Sequence, residues 1–207
     1  MIIDTTYFIL PPLQIPNAVA QPSIGLNTPN NVQKLQAVID RVEYIFLWNL
    51  LGYEQYTELK AQFNPDGTWI AEPLEKWVDL VDGKDSWPGL RYEVGDNKVS
   101  LIAYYVYHEF LKNDRQYYSS TGLVAAEAAN AVKTSVSEEL TEKWNDFVIQ
   151  YQGCDNYNYF RDWWHGWWYS QPITENYISL YDYMQSNDAV YDVSFMKLYS
   201  VKNRFGL

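Results

Sequence analysis

The sequence predicts an all-α protein: a compact helical bundle with an extended, proline-rich N-terminal arm and an aromatic-rich C-terminal helical segment. Three observations predict it. Apolar residues recur at steps of three and four over long stretches, which is the period of a helix with one buried side. Five prolines fall between positions 11 and 29, which excludes a long helix there. The chain also carries 19 Tyr, 9 Trp and 8 Phe in 207 residues, and the rings concentrate toward its C-terminal part. The reading divides the chain into an arm, 1–31, and a single helical domain, 32–207, with a break at 119–134.

The strongest helical signal is 32–63. Leu35, Val38, Ile39, Val42, Ile45, Phe46 and Leu50 share one side, while Tyr44, Trp48 and Leu51 widen the stripe beyond what one neighbour would cover. Gly52 weakens or ends this helix, and Tyr53, Tyr56, Leu59 and Phe63 resume the period before an Asn64-Pro65-Asp66-Gly67 turn. A short helix is expected over Trp69 to Val81, with Pro73 in its first turn. A turn-rich connection around Pro88-Gly89 follows. Asp96 or Asn97 is placed to cap a second central helix over 98–118, apolar through Leu101, Ile102, Tyr105, Val106, Phe110 and Leu111. Residues 119–134 are small and weakly patterned, and propensity does not choose between a loop and an alanine-rich helix at 123–132. Ser135 and Glu138 match a capping box that opens a helix to about residue 151, with Val136, Leu140, Trp144, Phe147, Val148 and Tyr151 inward. Pro172 suits the first turn of a helix through Ile173, Tyr177, Leu180, Tyr181 and Met184. The segment 191–207 reads as a final short helix tied down by Phe205 and Leu207.

Composition bounds the chemistry. Net charge is −11, acids exceed bases in both halves, and no basic stripe exists to wrap a duplex by its phosphates. The lone cysteine, Cys154, excludes an internal disulfide and fits a reducing compartment. Neither a signal peptide nor a membrane span is indicated. Of two histidines, His108 reads as packed or superficial; His165 shares a helical face with Asp162, but nothing sets Cys154 beside it as an activated nucleophile. Asp82, Asp85, Glu93 and Asp96 lack calcium-loop spacing and read as solvent-facing acids. No metal, cofactor or enzymatic activity is expected. Trp163, Trp164, Trp167 and Trp168 suit either burial in the fold or between subunits, or a carbohydrate- or protein-binding platform if exposed and coplanar.

Several short motifs keep a particular order: Leu10-Pro11 to Ile15-Pro16-Asn17, Glu43-Tyr44 through Leu50-Leu51-Gly52-Tyr53-Glu54-Gln55-Tyr56 to Phe63, and Trp87-Pro88-Gly89-Leu90. Ile102 to Tyr107 with Phe110, Thr121-Gly122 to Ala129-Asn130-Ala131, Trp144-Asn145-Asp146 and Asn203-Arg204-Phe205-Gly206-Leu207 complete the series. This pattern resembles the head-tail connector adaptors, or ring proteins, of tailed bacteriophages and prophages of Bacteroides-like hosts. The resemblance implies a structural virion protein at the head-tail junction, made in the host cytoplasm. Its expected partners are a portal protein, further copies of itself in a twelve-fold ring, and a downstream connector or tail protein, around DNA that it encloses without reading. Candidate assembly contacts are Leu10, Ile15, Tyr44, Trp48, Tyr53, Tyr56, Trp163, Trp164, Trp167 and Trp168.

Overall fold

The computed structural model describes residues 2–19, 31–114, 116–119, 122–125, 136–153 and 178–202. Helix α1, Asn31–Lys60, buries Leu35, Ile39, Val42, Phe46 and Leu50 of the expected stripe; Val38 is partly buried, and Ile45 is corrected, since it lies at the edge of the stripe and is exposed. It is two helical limbs joined at Gly52, whose φ of 70° and ψ of 177° break the helical path. Only glycine takes that backbone conformation at little cost.

The turn at Asn64–Gly67 forms as expected, with Asp66 Oδ1 accepting the Thr68 N–H at 2.9 Å. Trp69, however, lies outside the next helix. It bridges back to Phe63, the two rings stack at 4.3 Å, and its indole N–H donates to Asp82. Helix α2 is therefore shorter than expected, Glu75–Asp82, and Pro73 precedes it. Asp82 is exposed, as expected, and is held in place: it also accepts from Arg91 Nε at 2.6 Å, and the guanidinium lies over the Phe63 and Trp69 rings.

Asp96 and Asn97 do not cap a helix. They belong to an antiparallel hairpin of β1, Tyr92–Val94, and β2, Asn97–Val99, with Gly95 at φ 61° opening its two-residue turn. Helix α3, Leu101–Asp114, is instead capped by Ser100, whose Oγ accepts the Ile102 N–H. It ends four residues short of the expected 118, because the tyrosine-containing segment beyond it pairs as a second hairpin, β3 Gln116–Ser119 with β4 Gly122–Ala125. Residues 122–125 of the undecided 119–134 stretch are thus strand; 126–135 lie outside the described residues.

Helix α4, Val136–Gln152, starts where expected and buries Phe147, Val148 and Tyr151. The C-terminal helix expected to run from Pro172 through Met184 is not continuous: residues 178–179 are non-helical and Ser179 caps a separate helix α5, Leu180–Ser186, while 172–177 lie outside the described residues. The expected final helix is absent over 191–202: a single 3₁₀ turn, Val193–Phe195, leads into an extended segment laid along α4.

Helix α3 packs against both α1 and α4, and α5 closes against α4. The result is an all-α bundle of five helices among the described residues, linked by two small hairpins. Aromatic rings fill its centre, where Phe46 meets Tyr105, Phe147 and Tyr151 edge to face at 6.0–6.4 Å.

Residues 2–19 are not an extended arm. Asp4 caps a 3₁₀ turn, Thr5–Phe8, and the Ile15 N–H returns to the Phe8 carbonyl, which places Ile2, Ile3, Phe8, Leu13, Ile15 and Ala18 in the core. The anchor is Glu43, buried on α1, whose Oε2 accepts the N–H groups of Ile2 at 2.9 Å and Ile3 at 3.1 Å.

Three outcomes follow from these contacts. A Cβ at residue 52 would stand 2.6 Å from the Phe195 ring as well as straining the backbone. Gly52→Ala is therefore expected to destabilise the protein by about 2–4 kcal/mol, measured by urea denaturation. At Glu43, burial raises the carboxyl pKa, while the Ile3 and Ile2 N–H groups pull it down. The raised value means that the folded protein holds this proton more tightly than the unfolded chain. The corresponding stability is fully present below the unfolded pKa and is lost as pH rises through the folded one. Glu43→Gln keeps an acceptor without the charge, so its stability relative to wild type should grow between about pH 4 and pH 7; a shrinking difference would contradict the assignment. Glu43→Leu, which strands both N–H groups, should cost about 1–3 kcal/mol for each.

Candidate functional site

The two limbs of α1 do not run on in line. In a straight helix Tyr44 and Tyr56 would be separated by about 18 Å of rise, yet their ring centroids lie 5.5 Å apart at 80°. The break at Gly52 folds the second limb back along the first. Trp48 sits between the limbs, 5.6 Å from Tyr44, 6.2 Å from Tyr56 and 5.4 Å from Tyr53. The sequence expectation placed these four residues at an assembly contact, and the fold makes one connected cluster of them.

The cluster is open to solvent. Tyr53 is 63% exposed, Tyr44 46% and Trp48 38%; Tyr56 is partly covered and Ile45 adds a further exposed apolar side chain. The rings are tilted by 50° to 80° to one another. They form a ridged surface with hydroxyls at its edges, unlike a flat stacking platform. Burial raises the Tyr56 pKa, with the Glu43 and Tyr44 charges adding to it, so this phenol remains a donor at neutral pH.

Beside the cluster, in the angle between the limbs, lies a cavity of about 380 Å³. Asp40, Glu43, Tyr44 and Leu47 line it from the first limb, Tyr56, Leu59, Lys60 and Phe63 from the second limb and the turn after it, with Ile2 closing it. Its carboxylates are engaged structurally: Glu43 holds Ile2 and Ile3, and Asp40 accepts from Gln36 Nε2 at 2.8 Å.

The remaining expected contacts divide. Leu10 is exposed, 46%, on the far side of the 3₁₀ turn. Ile15 is corrected: at 4% exposure it belongs to the core, because the loop closed by its N–H on Phe8 turns it inward. Trp163, Trp164, Trp167 and Trp168 lie outside the described residues, as do Cys154, Asp162 and His165. His108 is packed, with its ring 5.0 Å from that of Trp144 and Nδ1 3.2 Å from Glu109 Oε1. The neighbouring side chains meet although they leave the helix in different directions, and the His108 hydrogen bond holds the Glu109 carboxyl below its usual range.

Among the described residues no group of three or more His, Cys, Asp or Glu side chains is placed to hold a metal ion, and no helix is long and apolar enough to cross a membrane. Sequence reasoning missed three exposed apolar side chains, Phe195, Leu198 and Val201, because a helix was expected there. The signal was present as a spacing of three: Val193, Met196, Tyr199 and Lys202 face inward between exposed neighbours. No protein-family model, curated protein or solved structure matches the chain significantly.

Proposed function

We propose that this chain is a structural virion protein without enzymatic activity: a head-tail connector adaptor that forms a ring below the portal, extends the DNA channel and docks tail components. The observation that carries the reading is the open aromatic face of α1. Tyr44, Trp48, Tyr53 and Tyr56 present large rings with polar edges, the composition found at the centres of protein interfaces. A contact between this face and an unlike face of the next copy, repeated with the right rotation, closes a ring. The net charge of −11 suits a subunit that encloses DNA, because a negative wall repels phosphates and lets the genome slide. The tilts between the rings disfavour a flat sugar platform here. The alternative module at Trp163–Trp168 draws no support from the described residues.

The test is reconstitution with the portal protein of the same virion, imaged by electron microscopy. The expected result is a ring of density on the portal, with twelve copies. Trp48→Ala combined with Tyr53→Ala should weaken this assembly by about 30-fold or more, the loss typical of interface anchors. Both rings are substantially exposed in the single chain, so the monomer's stability should change much less. A ring that forms equally well with the double variant would remove α1 from the contact. Binding of an oligosaccharide in place of the portal would favour the alternative.

A further inference from the structure

Over residues 193–202 one side chain in three turns inward. Val193, Met196, Tyr199 and Lys202 are partly buried, and the residues between them are exposed. Met196 has φ −64° and ψ 129°, close to polyproline II. That conformation repeats every three residues and makes no internal hydrogen bonds, so its backbone groups are available to another element.

Helix α4 supplies the partners. Gln152 Oε1 accepts the Tyr199 N–H at 2.7 Å while its Nε2 donates to the Tyr199 carbonyl at 2.8 Å. Two turns earlier, Asn145 Oδ1 accepts the Lys202 N–H at 2.8 Å and Nδ2 donates to the Lys202 carbonyl at 2.9 Å. Trp144 Nε1 donates to the Ser200 carbonyl at 2.8 Å. The spacing matches, since two turns of helix rise about 10.5 Å and three residues of polyproline II span about 9.3 Å. Side chains add selectivity. The Tyr199 ring meets Trp144, Phe147 and Tyr151 nearly edge to face at 5.0–5.7 Å, and Lys202 Nζ lies 4.7 Å from the centre of the Trp144 ring. Burial pushes the Tyr199 hydroxyl up to about 12, so the anchor stays neutral.

These contacts make a complete recognition site for a peptide, and nothing in them requires that the peptide belong to the same molecule. The body ends at Tyr191, buried and donating to the Lys76 carbonyl at 2.6 Å; the 3₁₀ turn Val193–Phe195 then leads into the segment, whose outer side leaves Phe195, Leu198 and Val201 exposed. We infer that the aromatic face of α4 is a receptor for a polyproline-II segment of the pattern Met-x-x-Tyr-x-x-Lys, and that between concentrated copies it takes residues 196–202 of a second copy in place of its own. A second copy is the occupant because its segment reproduces every backbone clamp and both side-chain anchors. Exchange conserves the contacts, and concentration sets the balance. The inference stands apart from what the open face of α1 contacts, and would hold for a chain of any function that associates with itself.

Two full-length variants test it. One carries Asn145→Asp and Gln152→Glu, which removes the amide donors of the receptor and leaves the segment intact. The other carries Tyr199→Ala and Lys202→Ala, which removes the anchors and leaves the receptor intact. Each alone should sediment as a monomer, and the equimolar mixture should contain a species of twice the mass, in which the intact segment of the first occupies the intact receptor of the second. A mixture that sediments as the two separate monomers would overturn exchange between copies. Should either variant fail to fold, the question is put to the wild-type chain with a labelled peptide of residues 196–202. The peptide is expected to bind about 30-fold more tightly than the same peptide carrying Tyr199→Ala, the loss expected for an aromatic anchor. Equal binding of the two, or binding of neither, would show that α4 is not such a receptor.

Discussion

At Gly52 the backbone leaves the helical path, with φ 70° and ψ 177°, and much of the surface depends on that one residue. The limbs it joins share an aromatic cluster that a straight helix would scatter over about 18 Å, and they enclose the cavity lined from Asp40 to Phe63. The absence of a Cβ serves twice. It permits the backbone conformation, and it leaves room for the Phe195 ring, which a side chain at this position would displace. One position therefore links the bend of α1, the opening of its aromatic face and the seating of the C-terminal segment.

Polar groups fix the ends of the chain while rings fill the middle. At the N-terminal end a buried carboxylate, Glu43, holds two successive N–H groups of a segment without a strand or helix to satisfy them. At the other, two side-chain amides and an indole do the same for an extended backbone. Each such bond contributes roughly 0.5–1.5 kcal/mol net, and each close ring pair a similar amount beyond its buried area. Ordering a residue costs roughly 1–2 kcal/mol. Along 196–202 these bonds and ring contacts offset part of that cost, and the packing of Met196 and Tyr199 on the core adds to them.

The helical interior was legible from periodicity. The inward side of α1, its break at Gly52, the span of α3 up to Asp114 and the inward residues of α4 follow from spacing alone, because long amphipathic stretches accumulate signal. The hairpins were not legible. A three-residue strand such as Tyr92–Val94 has too few positions to display alternation, and Gln116–Ser119 continues a helix whose propensity runs smoothly into it. The extended segment at the C-terminal end was read as helix, although Val193, Met196 and Tyr199 repeat at three. Over ten residues that differs from 3.6 only by the missing contacts at four. For the candidate site, Tyr44 and Trp48 could be read from a stripe too wide for one neighbour, and Tyr53 and Tyr56 from the aromatic series that resumes after Gly52. Their convergence could not, since it requires the angle at Gly52. Ile15 was misplaced because proline spacing shows that a segment is not helical and says nothing of which way it folds back.

The two surfaces adjoin at one side chain. Phe195 covers Gly52 at the elbow of α1, and the next residue, Met196, begins the segment held by α4. The 3₁₀ turn that carries Phe195 is short, and the Met196 N–H is bonded back to the Val193 carbonyl. The ring lies against the glycine, where the absence of a Cβ leaves room for it. The angle between the limbs sets how closely Tyr56 approaches Tyr44 and hence the shape of the open aromatic face. Phe195 thus stands where the bend of α1 meets the start of the segment held by α4.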